Sequence, residues 1–196
     1  MAKVYPAEAA VSNACSMSSA GRKTFTIWMK SLVCHTNGCT VFDSKGRIVY
    51  RVENYDTRGS SEVHLMDLSG QILFTILKKK LDILGRWNGY RGNFTGGKKE
   101  NPSFQVKKYC RIMGRDIVCQ VRVGLNKYLI VSLGRKKQGF KMVNSGGDVV
   151  AEAKQKQLCS GKALGEDVLS LEIEPYMDEA LIAALVTVYG LINSRL

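Results

Sequence analysis

The sequence predicts a mainly β fold: a twelve-stranded antiparallel barrel closed around a central hydrophobic C-terminal α-helix. Three observations predict it: an apolar run near the C-terminus, a hairpin phrase that recurs along the chain, and prolines that avoid every candidate strand. From Ala180 to Ile192 only Thr187, Tyr189 and Gly190 interrupt aliphatic residues. A surface helix carries one apolar stripe, whereas a helix apolar on every side must be enclosed. At ~1.5 Å per residue the run is about 20 Å long. That falls short of the roughly 20 apolar residues a bilayer core requires, yet it suits the middle of a small domain.

Taken in order, residues 1–23 are rich in Ala and Ser and predict a loose N-terminal arm. Residues 24–196 predict a single barrel domain with its helix at about 178–193. Phe25, Ile27 and Met29 alternate with Thr24, Thr26 and Trp28, the period of a strand. The recurring phrase then appears three times. Val41-Phe42-Asp43-Ser44-Lys45-Gly46, Leu65-Met66-Asp67-Leu68-Ser69-Gly70 and Met142-Val143-Asn144-Ser145-Gly146-Gly147 are each followed by a second β-rich run. An Asx side chain bonds the turn backbone and Gly supplies a positive φ, so each phrase predicts a β-hairpin. Asp43 and Asp67 are accordingly expected to shape turns, not to act as catalytic carboxylates.

Further strands are predicted at Ile83–Tyr90, Phe104–Tyr109, Asp116–Val123, Tyr128–Leu133 and Val168–Glu174, which brings the count to about twelve. Pro175 separates the last strand from the helix, and Asp178 with Glu179 gives that helix an acidic first turn. A long twisted sheet closes on itself to abolish its edges, and the apolar helix fills the lumen.

A chain of 196 residues, 45 % hydrophobic and 23 % charged, suits one globular domain, or at most two small ones. Its six cysteines include no CxxC pair. His35 lies between Cys34 and Cys39, but a fourth zinc ligand has no source, so reduced thiols in a cytosolic protein are expected. No signal peptide is evident, and the Asn93-Phe94-Thr95 sequon carries no meaning without a secretory route. Gly92 to Lys98 satisfies GxxxxGK, but Lys99 stands where a phosphate loop needs Ser or Thr. Pro102 blocks the helix that should follow. A loop between strands is expected there, with no nucleotide, cofactor or metal. Neither GxSxG nor HExxH occurs, and the chain is read as non-enzymatic. His64, between Val63 and Leu65, reads as an outward strand residue.

The net charge is +12, and it is unevenly placed. Residues 78–141 hold 17 Lys and Arg against Asp82, Glu100 and Asp116, a surplus of +14. Such asymmetry points to an anionic partner, lipid headgroups or nucleic acid, although a merely solvated face has the same composition. The candidate lipid-binding residues are Lys78, Lys79, Lys80, Lys98, Lys99, Lys107, Lys108, Arg135, Lys136 and Lys137, with Arg86 as a further base. Trp87, Tyr90 and Phe94 fall in the same region. Aromatics beside bases suit a membrane interface or stacking on a single-stranded nucleic acid.

The residues also carry a resemblance. Thr26–Leu32, Thr40-Val41-Phe42-Asp43-Ser44-Lys45-Gly46, Arg51-Val52-Glu53-Asn54-Tyr55 and the terminal apolar helix resemble the plant LURP-one-related family, from about Val4 to Ile192. That family is similar in fold to the tubby C-terminal domain and to phospholipid scramblases. The resemblance implies a twelve-stranded barrel around a hydrophobic helix, a land-plant source and a link to pathogen defence. Tubby domains bind phosphoinositides through Lys and Arg and act as membrane-tethered transcription regulators. The chain lacks the acidic calcium loop of a scramblase, so lipid scrambling is not expected. The expectation is a phosphoinositide-binding module in the cytoplasm, at the plasma membrane or in the nucleus. Two alternatives stand beside it: a nucleic-acid-binding regulator using the same basic face, and a scaffold whose partner is a protein.

Overall fold

The structure, a computed structural model, describes residues 21–29, 38–54, 62–79, 85–95, 101–110, 117–133, 139–158 and 160–193. Twelve strands and one helix follow in order: β1 (Lys23–Trp28), β2 (Gly38–Phe42), β3 (Ile48–Asn54), β4 (Glu62–Met66), β5 (Ile72–Lys78), β6 (Trp87–Arg91), β7 (Phe104–Cys110), β8 (Ile117–Val123), β9 (Asn126–Leu133), β10 (Gly139–Asn144), β11 (Val149–Gln155), β12 (Val168–Ile173) and α1 (Glu179–Ile192). Each strand pairs with its sequence neighbours, and β1 closes the barrel by pairing antiparallel with β12. Consecutive strands therefore run in alternate directions. One end, here the lower rim, carries the turns after β2, β4, β8 and β10 and the start of α1. The N-terminal arm expected over residues 1–23 falls mostly outside the described residues.

Period-two alternation divides the residues of each strand between lumen and exterior. Ile27, Val52, Leu65, Phe74, Ile76, Phe104, Val106, Val121, Ile130, Met142, Leu169 and Leu171 face inward and are almost wholly buried. They meet α1, whose residues from Leu181 to Gly190 are all buried. The three interruptions in its apolar run are each accommodated. The Thr187 hydroxyl donates to the Ala183 carbonyl at 2.9 Å, so the helix satisfies it internally. Tyr189 donates to Ser132 of β9 at 3.2 Å and packs against Phe140 with ring centroids 4.6 Å apart. Gly190 presents only backbone to its surroundings.

The helix is fixed at both ends. Asp178 is the N-cap, its carboxylate accepting from the Leu181 amide at 3.1 Å. Arg91, at the end of β6, reaches the same carboxylate at 2.5 Å while its guanidinium lies over Phe74, 5.1 Å from the ring centroid. Burial opposes ionisation of Asp178, but Arg91 and the capping amide outweigh it and hold the carboxyl below its ordinary range. At the other end Asn193 donates its side-chain amide to the Tyr189 carbonyl at 2.8 Å.

The three recurrent phrases fold into three copies of one turn. Asp43 accepts from the amides of Lys45 and Arg47, each at 2.9 Å. Asp67 accepts from Ser69 and Gln71, and Asn144 from Gly146 and Asp148, at the same distance. Gly46, Gly70 and Gly147 supply φ of 76°, 82° and 90°. A bulge precedes each turn, after Val41, Leu65 and Met142. The backbone amide of Arg47 is the main cause of a lowered Asp43 pKa, and the Ser69 hydroxyl of a lowered Asp67 pKa.

Two expectations are adjusted. The strand expected at Ile83–Tyr90 is β6, Trp87–Arg91, because Gly85 at φ 63° cannot continue an extended run. The strand expected from Tyr128 begins at Asn126, because Gly124 and Leu125 alone form the turn.

At Gly89, which faces Phe104 across β6 and β7, a β-carbon would lie 2.1 Å from the ring. Gly89→Ala should therefore lower stability by ~1–3 kcal/mol in denaturant titration. Leu185→Asp places a charge in the lumen without a partner and should cost more than ~4 kcal/mol. Asp178→Ala removes the cap and the Arg91 contact and should cost at least ~1 kcal/mol. Because the Asp43 and Asp67 carboxyls are depressed in the fold, their contribution is present at neutral pH and lost as pH falls through the folded pKa. Melts from about pH 7 to about pH 3 should show Asp67→Asn flattening that acid limb. Asp67→Ala should lower the melting temperature at every pH.

Candidate anion-binding face

Alternation splits the dibasic pairs that the sequence presents together. Ile76 faces the lumen, so Lys78 lies on the lumenal side at the upper mouth, its ammonium 5.9 Å from the Trp87 ring centroid. Lys79 continues the pairing by donating its backbone amide to the Arg86 carbonyl at 2.8 Å, and so falls on the exterior face. Lys108 pairs with Cys119, which is completely buried, so it shares the lumenal face of β7 and β8. Lys107 pairs with Gln120 on the exterior. Lys80, Lys98, Lys99, Arg135, Lys136 and Lys137 lie outside the described residues. β6 ends and β7 begins at the lower rim, the opposite end from Lys78.

What the barrel assembles around Lys107 is a different set of residues. A cleft of about 190 Å³ on the outer face of β7–β9 and the start of β6 is lined by Arg86, Gln105, Lys107, Gln120, Arg122 and Lys127. The register makes it a lattice. Asn88, Gln105, Arg122 and Lys127 form one row across four strands, and Lys107, Gln120 and Leu129 the next. The Gln105 amide donates to Asn88 at 3.4 Å. Arg122 and Lys127 stand directly opposite each other, a like-charge pair that costs stability. The volume is many times the ~10–15 Å³ that a single water molecule needs, which leaves room for a phosphate-sized group.

Several cations elsewhere on the exterior are paired with carboxylates. Glu152 meets Lys154 at 2.9 Å and Lys141 at 3.4 Å. Arg22 bonds Glu174 and lies 3.9 Å from Glu172, and Arg47 bonds Asp43 at 2.7 Å. Among the described residues no carboxylate pairs with Lys107, Arg122 or Lys127, and none occurs between positions 78 and 141. Among the described residues the cleft thus gathers four bases and two amides able to donate hydrogen bonds. Of these bases the sequence pattern points to Lys107 and Arg86, but not to Arg122 and Lys127. Their signal was the two-residue spacer Gly124-Leu125, which forces positions 122 and 127 into register.

The chemistry of an enzyme is not assembled around His64. Its ring nitrogens lie 3.4 Å from Glu62 and from the Thr75 hydroxyl, the outline of a triad. Yet Thr75 is fully buried; it donates to the Gly92 carbonyl at 2.7 Å and accepts from the Phe94 amide at 3.2 Å. The first residues of the GxxxxGK segment, Gly92 to Phe94, thus lie against Thr75 on the outer face of β5, and Phe94 stacks on Tyr90 with ring centroids 3.9 Å apart. His64 is an exterior residue, as expected, but a largely covered one. Cys39 lies inside the barrel 4.0 Å from the Thr187 hydroxyl, and burial pushes its pKa up to about 12, so it is not a thiolate. No group of three or more His, Cys, Asp or Glu side chains suited to a metal is found among the described residues. No helix among them is long and apolar enough to cross a membrane.

The family model described as LURP-one-related matches residues 23–190. Protein LURP-one-related 4 of Arabidopsis thaliana is 47 % identical over 195 residues, covering 98 % of this chain and 87 % of that protein. Protein LURP-one-related 3 of the same plant is 40 % identical over 186 residues, covering 89 % and 82 %. An X-ray structure of an Arabidopsis thaliana protein superposes with a TM-score of 0.62 at 18 % identity, covering 88 % of this chain and 92 % of that one. That likeness shows a shared fold. The chain belongs to the LURP-one-related family.

Proposed function

We propose that this LURP-one-related chain is a non-enzymatic module that binds anionic phospholipid headgroups, phosphoinositides above all, on the outer face of β6–β9. One observation carries the reading: Arg86, Lys107, Arg122 and Lys127 converge on one cleft from four successive stretches of chain. Four bases near an anionic surface contribute about 1 kcal/mol each. That sum corresponds to a dissociation constant of about a millimolar. A phosphomonoester seated in the cleft adds charge-assisted hydrogen bonds at about 1.5–3 kcal/mol apiece. Two of these bring affinity to about a micromolar. The gain discriminates a phosphoinositide from a diffuse anionic lipid. The similarity of the family to tubby domains supports a membrane-tethered regulator with a place in plant defence, divided among cytoplasm, plasma membrane and nucleus.

Liposome co-sedimentation tests the reading. Vesicles with phosphoinositide should retain the protein far better than phosphatidylcholine vesicles, and retention should fall steeply with salt. Arg122→Gln with Lys127→Gln should weaken it sharply while removing a like-charge pair, so the melting temperature should hold or rise. A protein that ignores both vesicle types at low salt and retards DNA in a gel is a nucleic-acid binder. One that does neither has a protein partner.

A further inference from the structure

The two-residue turn joining β8 to β9 carries a leucine where turn chemistry favours Gly, Asn or Asp. Gly124, at φ 56°, supplies the positive φ that a primed hairpin turn demands. Leu125 then projects from the lower rim with 100 % of its surface exposed. Isolated exposed leucines are common, but this one has particular neighbours. It is flanked by the cross-strand pair Arg122 and Lys127. Beyond Lys127 a second cleft, of about 260 Å³, is lined by Asn126, Lys127, Tyr128, Asn144, Ser145 and Tyr176, and Tyr176 is 68 % exposed. Lys127 thus borders both clefts, two residues along the chain from the exposed apolar tip and sharing the second cleft with Tyr176.

We infer that Leu125 inserts into the acyl boundary of an anionic bilayer, with Tyr176 at headgroup level and Arg122 and Lys127 against the phosphates. This rests on the lipid-binding reading and adds to it an anchor and an orientation. The charge complementarity of the flanking bases selects an anionic membrane as the occupant over a neutral apolar surface. A tyrosine, with an apolar ring and a polar tip, suits the interface beside them. The barrel then stands on its β8–β9 corner, with the cleft opening onto the headgroups. Leu68, 66 % exposed in the β4–β5 turn, is the contrasting case. Its hairpin lies around the rim from the lattice, beside Arg51, which is paired with Glu53 at 3.6 Å.

Two variants of the full chain test this with vesicles of phosphatidylcholine, phosphatidylserine and phosphoinositide. In Leu125→Trp the introduced indole should shift to the blue on vesicle addition and be quenched by brominated acyl chains. The native Trp28 and Trp87, measured in the unaltered protein, supply the background. Leu125→Asn should weaken binding about tenfold or more, the loss of one buried leucine side chain, with the salt slope unchanged. Leu68→Asn should bind as the unaltered protein does. If the protein binds vesicles, Leu125→Asn binds equally well and the indole is not quenched, insertion is overturned and headgroup binding stands. If no vesicle is bound at low salt, both readings fall together.

Discussion

The enclosure of α1 is the constraint on which the rest of the molecule depends. A closed sheet of twelve strands surrounds more space than the side chains of its own inner face fill, and an empty lumen would forfeit dispersion contacts on every strand. The helix supplies the missing partner atoms. It is therefore apolar on every face, and its few polar groups end on its own backbone or on a buried serine. The constraint also explains Gly89. Phe104 fills the space that a side chain on β6 would otherwise occupy, and the barrel wall thins there to admit the ring.

From that packing the exterior gains its freedom. Once the inner face and the helix satisfy the hydrophobic requirement, the outer residues of β6–β9 are under no obligation to contribute to stability. A like-charge pair at Arg122 and Lys127 persists there, at an energetic cost that the core offsets. The outer face of β10–β12 follows the opposite rule, with Glu152, Glu172 and Glu174 placed among bases. Among the described residues, two sectors of one barrel thus differ: one sets carboxylates beside its bases, and the other gathers Lys107, Arg122 and Lys127 with no carboxylate between positions 78 and 141.

What the sequence disclosed follows from how local each signal is. The turn at Asp43 closes within four residues, so its geometry is written in consecutive letters, and the same holds at Asp67 and Asn144. The helix announces itself by a run whose meaning needs no partner. The cleft is different. Lys107 and Lys108 are adjacent in sequence and on opposite faces in the barrel, so counting bases by proximity joins what alternation separates. Arg122 and Lys127 become neighbours only through register, and Arg86 joins them from the position just before β6, a strand whose beginning the sequence placed too early. Thr75, the cross-strand partner of His64, shows the same limit: its exterior position follows from alternation, but not its burial, because Gly92 and Phe94 reach it from beyond the end of β6.

If the helix is the core of the barrel and not an appendage docked into it, the two must unfold as one cooperative unit. Native-state hydrogen exchange reads this directly. The amides from Leu185 to Gly190 should exchange only through global unfolding. They should show the same opening free energy and denaturant dependence as those of Phe74, Ile76 and Val121 in the wall. Helix amides that exchange through a smaller, separate opening while the strands stay protected would contradict it.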